Sequence, residues 1–404
     1  MSAAVAIPPA DPDPDSPGTG APRLWTRSFV NLIVAQSVFG FAYAQFVLLP
    51  KLLAVGYHAT ARQIGVVMAA FGVASLVAIP VMAPATKRLG CRRAMVLGNL
   101  LLAGSALGFI FIHSAGWAAA TLRGVHGIAW SLFFAAGMTL VADVAPKAKL
   151  AQAIGLFGAA ALSMSALGPA VAEPMAARWG AHSVFVLAAV VAAVGAWFCL
   201  RLPEAAIAAA SSRATASEPS GARTRASAIA VFTVGSLAAT GVVTFVAPFA
   251  LQNHIEVVRG FFVAYTVTAL AMRIGGARMT DRVGHRRVAL AGCAGYGLMM
   301  VVMGGAGPGH LILLGAAFGI AHGVLYPALM SLVIGDLPAD RRPRALAFTN
   351  GAINLGVAGV GVLGTIAEHT GYPAVFIATG LATVAAALLL VRRSSPPRAA
   401  ASST

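Results

Sequence analysis

Acidic charge is what this chain has least of: 12 Asp and Glu stand against 28 Lys and Arg in 404 residues, and charged residues of both signs make up only 10%. Asp11, Asp13 and Asp15 lie near the start, Glu204 and Glu218 in a polar segment at mid-chain, and the other acids toward the ends of apolar runs. Neither paired carboxylates nor metal-type His/Cys/Asp spacing occurs, so no metal is expected and an enzyme site is excluded. Three cysteines, Cys91, Cys199 and Cys293, have no close pair and give no disulfide framework. A Gly-x-x-x-x-Gly-Lys-Ser/Thr loop is also missing, so ATP is not a direct energy source and no cofactor is expected.

What the chain has instead is apolar sequence. At 59% hydrophobic it carries more apolar side chains than a water-soluble core can bury. About 20 residues of helix cross roughly 30 Å of hydrocarbon, and twelve runs qualify, near 28–49, 63–84, 94–113, 117–140, 152–177, 183–202, 228–251, 260–280, 288–306, 309–334, 345–368 and 373–391. The fold class expected is an all-α membrane protein of twelve transmembrane helices. Its domains read as a disordered tail over 1–27, a six-helix bundle over 28–202, a linker over 203–227, a second bundle over 228–391 and a tail over 392–404. Of the 28 Lys and Arg, 22 fall in the two ends and the loops after spans 2, 4, 6, 8 and 10, which places both termini in the cytoplasm. The formal charge of +16 is scattered over short loops, so membrane lipid headgroups and not nucleic acid are the expected partner. High Ala, Gly and Arg suggest a bacterium of GC-rich genome, hence its inner membrane.

The two bundles repeat one another. Arg88-Leu89-Gly90-Cys91-Arg92-Arg93 and Arg282-Val283-Gly284-His285-Arg286-Arg287 lie 194 residues apart, and Gly127-Ile128-Ala129 leading to Pro146 matches Gly319-Ile320-Ala321 leading to Pro338 at a shift of 192. Duplicated bundles can rock about a site held between them, which points to transport. Each basic turn has a Gly where the backbone must bend past a helix end, and Asp281 beside the second can accept bonds from a neighbouring helix start. The candidate gate is therefore Arg88, Gly90, Arg92, Arg273, Asp281, Arg282, Gly284 and Arg286, with Arg273 about two turns before Asp281.

On these residues the chain resembles the major facilitator superfamily, in its twelve-helix efflux branch of proton antiporters. The family's loop pattern Gly-x-x-x-Asp-Arg-x-Gly-Arg-Arg is kept in the second half as Asp281-Arg282-x-Gly284-x-Arg286-Arg287, with Ala277 for the leading Gly; the first half has Lys87 at the Asp position. Arg123-x-x-His126-Gly127 in span 4 is similar to the family's Arg-x-x-Gln-Gly element, and Gly155 and Gly168-Pro169 in span 5 resemble its exporter element, with Met164 and Ala172 where glycines are usual. The resemblance implies that spans 1, 4, 7 and 10 line a central cavity and that a monomer is the working unit.

Ionisable groups at membrane depth are functional candidates by default. Arg123, His126 and Trp130 share one helical face of span 4, and the duplication sets His322 opposite Trp130, near the bilayer midplane. The candidate substrate cavity is Gln36, Tyr43, Arg123, His126, Trp130, Thr240, His322, Tyr326 and Asn354. Thr233, Ser236, Thr240 and Thr244 align their hydroxyls along span 7. Proton coupling falls to His126, Glu173 or His322. With no acid near the midplane of spans 1, 4, 7 or 10, the field favours an anionic, zwitterionic or amphiphilic small molecule over an organic cation. The function expected is secondary transport by alternating access, by export in exchange for protons; uptake by proton symport is the alternative, then a membrane sensor without flux.

Overall fold

The computed structural model describes residues 24–204, 222–335, 337–338 and 341–391; the expected tails lie outside this set except for short stretches, as does most of the expected linker. The helices are α1 (Arg27–Ala44), α2 (Leu49–Tyr57), α3 (Ala61–Leu89), α4 (Cys91–Gly108), α5 (Trp117–Val144), α6 (Leu150–Trp179), α7 (Ala181–Cys199), α8 (Ala222–Gln252), α9 (Arg259–Val283), α10 (His285–Ala306), α11 (Leu311–Ile334), α12 (Arg342–Ala358), α13 (Val360–Thr370) and α14 (Tyr372–Val391). No strand occurs among the described residues. α1 and α2 together form the first expected span, interrupted by a 3₁₀ turn at Gln45–Leu48 where Pro50 at the start of α2 lacks an N–H to bond backwards. α12 and α13 likewise share the eleventh span, parted at Gly359. Among the described residues, eleven stretches are long and apolar enough to cross a membrane. α9 is not among them; it carries Arg273, Arg278, Asp281 and Arg282.

The duplication is visible in the packing. α3 packs on α5 as α9 packs on α11; α4 packs on α7 as α10 packs on α14; and α1 packs on α6 as α8 packs on α12. Contacts across the halves repeat the relation, α3 meeting α12 and α13 while α6 meets α9. Besides α12 and α13, parted by Gly359, four helix pairs among the described residues are joined by one residue each, at Gly90, Gly180, Gly284 and Gly371, with φ from +81° to +93°. Only glycine adopts such a backbone cheaply. Gly90 and Gly284 are the turn glycines legible in the sequence, and Gly180 and Gly371 are a second pair 191 apart.

Thr60 opens α3 with a capping box: its hydroxyl accepts from the Gln63 N–H at 3.3 Å while the Gln63 side chain accepts from the Thr60 N–H at 2.9 Å. This start, the end of α2 and the start of α9 lie at the end of the bundle away from both termini, called here the distal end; the other is the linker end. At the distal end one apolar core runs through both halves, taking in Phe46, Ile64 and Phe109 of the first with Phe245, Phe261 and Phe376 of the second. Toward the linker end the core divides in two. One cluster, around Phe29, Phe39, Phe133 and Phe157, belongs wholly to the first half, and another, around Phe232, Val324, Leu329 and Leu390, wholly to the second.

Gly180 has open space where a Cβ would sit, so Gly180→Ala isolates the backbone term. It is expected to destabilise the protein by about 1–3 kcal/mol, whereas Gly155→Ala, equally unobstructed inside α6, is expected to be neutral or stabilising. Thermal melting of the two variants in detergent checks the contrast, and equal melting temperatures would refute it.

Candidate functional site

Three side chains of α5 share a face because they recur every three or four residues, and the structure keeps them together. Arg123 is 4% exposed and His126 fully buried, with a guanidinium nitrogen 3.4 Å from the imidazole Nδ1. The guanidinium lies 4.9 Å from the Phe71 ring centroid and 5.6 Å from that of Tyr43, contacts that hold a cation by the negative faces of the rings. Tyr43 in turn packs on Trp130 at 4.6 Å, and Phe46 meets the His126 ring edge-on at 4.1 Å. Arg123 Nε, His126 Nε2 and both amide atoms of buried Gln36 have no hydrogen-bond partner among the described residues. Groups left so are costly and mark places where a ligand, an ion or water completes the bonding.

A separate cavity of about 210 Å³ opens in the second half between α8, α9, α10, α11 and α12. Thr240, His322 and Tyr326, expected from the sequence, line it together with Arg273 and Tyr296; Gln36, Tyr43, Arg123, His126, Trp130 and Asn354 do not. His322 Nδ1 is 2.9 Å from the Tyr265 hydroxyl, and the Arg273 guanidinium lies 5.1 Å from the Tyr326 ring centroid. Sequence reasoning missed Tyr265 and Tyr296, which stand on α9 and α10 and not on the expected cavity helices. Asn354 instead donates to the Asn350 carbonyl at 3.0 Å, on α12 where it crosses Gly72 of α3. Among the span-7 hydroxyls, Ser236 and Thr240 line the cavity, Thr233 donates to the Ile229 carbonyl at 3.2 Å, and Thr244 is buried without a partner among the described residues.

Glu173 ties the halves at the distal end. Only 5% exposed near the end of α6, it accepts from Lys51 Nζ at 2.6 Å and, in the other half, from the Val258 and Arg259 N–H groups at 2.9 Å each, where α9 begins. Arg259 adds a guanidinium nitrogen at 3.8 Å, and Lys51 also donates to the Glu256 carbonyl. Lys51 sits within α2. The repeat of this contact is Glu368, 195 residues further on at the end of α13, which accepts from the Thr60 hydroxyl at 3.0 Å and the Arg62 N–H at 3.1 Å at the start of α3. In each case a carboxylate of one half sits on the unfilled N–H groups and positive dipole end of a helix from the other.

At the linker end the basic turns are mostly exposed: Arg88, Arg282 and Gly284 face out, and Gly90 and Arg286 are half-buried. Beside the first basic turn, where Lys87 stands at the Asp position, Glu204 takes Arg92 Nε at 3.2 Å and packs against Gly90. That pair stays within one half. The side chain of Asp281 lies outside the described residues.

A profile of the Major Facilitator Superfamily matches residues 30–275 and again 229–404, which together take in nearly the whole chain. The chain belongs to the Major Facilitator Superfamily. Solved structures of the fold include a mutant of the nucleoside transporter NupG (13% identical, TM-score 0.75, 90% of this chain and 99% of that one). The human organic anion transporter MFSD10 follows at 18% identity, TM-score 0.66 and coverage of 90% and 99%. The peptide transporter POT in complex with sulfate is 15% identical, TM-score 0.76, over 93% and 94%. A curated relative, the puromycin resistance protein pur8 of Streptomyces alboniger, is 36% identical over 110 residues, which span 26% of this chain and 22% of that protein. As a member of the superfamily the chain is a multi-pass membrane transporter of small molecules and not an enzyme.

A charge-assisted hydrogen bond is worth about 1.5–3 kcal/mol when buried and less when wet, and Glu173 is buried where Glu368 is exposed. Spin labels at Trp179→Cys and His369→Cys, exposed positions on opposite halves at the distal end, read the outcome as a distance. Glu173→Gln is expected to lengthen it in a large fraction of molecules and Glu368→Gln in a smaller one. Unchanged distances in both would show that the carboxylates do not hold this end shut.

Proposed function

We propose that the protein exports a small anionic, zwitterionic or amphiphilic organic molecule in exchange for protons, by alternating access between its two halves. The observation that carries the reading is the division of the core: shared by both halves at the distal end and separate in each half toward the linker end. The halves still touch toward the linker end where α12 crosses α3, but only the distal core is common to both, a lopsided joining that suits one conformer of a rocking pair. The excess of Lys and Arg in the linker-end loops supports a cytoplasmic placement of that face, in a bacterial inner membrane, with the chain working as a monomer. Export draws support from the relative named for puromycin resistance.

Charge decides the substrate class. Arg123 and Arg273 are cations at membrane depth with an unpartnered Nε each, and no ion pair among the described residues includes either. An anionic group relieves both, and a cation is repelled. Proton coupling is assigned first to Glu173. Its protonation removes the negative charge that faces Lys51 and Arg259 and weakens its hold on the α9 start, so proton binding there and opening of the distal end are one event. His322, on the cavity wall, and His126, beside Arg123, are the other candidate carriers. Gly90, Gly284 and the arginines around them are assigned to the linker-end gate, which closes when the distal end opens.

Inside-out vesicles with an imposed pH gradient test the coupling against a panel of anionic, neutral and cationic compounds. Substrate is expected to accumulate only when the lumen is acid; accumulation with an alkaline lumen would identify uptake by symport instead. Arg123→Ala is expected to abolish accumulation while membrane insertion stays intact, and undiminished accumulation would remove Arg123 from the mechanism.

A further inference from the structure

The cavity in the second half is built for one kind of ligand. We infer that it binds a small monocarboxylate with an aromatic or branched aliphatic body, the carboxylate on Arg273; the inference rests on the transport reading above and narrows its substrate class. Arg273, which the loop pattern assigns to a gate, stands in the cavity wall with its guanidinium carbon over the Tyr326 ring, 5.1 Å from the centroid. A ring face holds a cation by charge and not by accepting its hydrogen bonds, so the N–H donors remain for another acceptor. Arg273 Nε is buried and without a partner among the described residues. A planar carboxylate matches those donors in shape and charge.

A second unfilled group belongs to the same cavity. Tyr296 is fully buried, lines the same cavity, and its hydroxyl has no partner among the described residues. Ser236 and Thr240 add neutral hydroxyls to the wall. Arg273 is the sole formal charge among the lining residues, so a monoanion is matched and a dianion such as phosphate leaves one charge unanswered. The remaining wall, including Phe232, Leu325, Leu329 and Ile353, is apolar and takes a hydrocarbon body. At about 210 Å³ the space is smaller than the roughly 300–1,000 Å³ of sites for drug-sized ligands. The ligand is therefore compact, with a single ring or a short branched chain.

Benzoate, benzyl alcohol and benzylamine share a body and differ in charge, and calorimetric titration of the full chain in lipid nanodiscs compares them. Benzoate is expected to bind, and Arg273→Gln to weaken it about tenfold or more, to the level of benzyl alcohol. Arg273→Lys, which keeps the charge and loses the planar fork, is expected to bind benzoate more weakly than the parent yet still above benzyl alcohol; it also serves if the Gln variant fails to insert. Tyr296→Phe is expected to weaken benzoate by a few-fold, with benzyl alcohol less affected. Benzylamine or benzyl alcohol binding as tightly as benzoate, or benzoate binding that ignores both Arg273 changes, would overturn the inference. Benzoate held at Arg273 while no panel compound crosses the vesicle membrane would support this site and refute transport. Pumping of cationic compounds without benzoate binding would refute the site and leave transport standing.

Discussion

Glu173 bridges the two halves at the distal end, over a shared apolar core, and it does so through backbone as much as through side chains. The first N–H groups of a helix have no partner inside it, so the start of α9 offers a fixed, positive docking point. Glu173 fills two of these groups and neutralises Lys51 at once. Buried bonds of this kind contribute about 1.5–3 kcal/mol each, and taking a two-state protein from 1:99 to 99:1 needs about 5.5 kcal/mol. The magnitudes are alike, so in the proposed alternation the loss of these bonds is large enough to shift the balance between closed and open. Glu368 repeats the geometry across the two-fold relation with weaker, solvated bonds.

Basic groups and acids are divided by position. Glu173 and Glu368 sit near helix ends, where they bind helix starts, and Glu204, just past α7, pairs with Arg92 in the first turn of α4. Within the membrane the charges are Arg123 and Arg273, each laid against aromatic rings and neither in an ion pair among the described residues. Ring faces stabilise a cation by only about 0.5–2 kcal/mol, short of the several kcal/mol its burial costs. Both sites are therefore electrostatically incomplete without an anion, and the negative cargo proposed above rests on the same shortfall.

Much of this was legible in the residues because apolar runs and repeats are written in side chains. The twelve spans, the paired basic turns at Gly90 and Gly284, and the shared face of Arg123, His126 and Trp130 all follow from spacing. Gly180 and Gly371 escaped notice, since no charged motif flanks them and only their 191-residue separation marks the pair. The partners of Glu173 and Glu368 were illegible for a deeper reason: they are largely backbone N–H groups, which every residue but proline owns. Arg273 was read by residue count as lying near a gate, whereas α9 turns it toward the cavity shared with Tyr296 and Tyr326. Which way a polar helix faces depends on its neighbours, and spacing along one chain does not record them.

The crossing of α3 and α13 has a mechanical meaning. Gly65 and Gly364 bring the two backbones so close that a Cβ on the first would lie 2.8 Å from the Cα of the second. Neither glycine has a side chain to interlock, so in the proposed rocking nothing on these two residues must disengage when one half rolls over the other. The spot is suited to serve as a bearing, with the distal carboxylates as the catch.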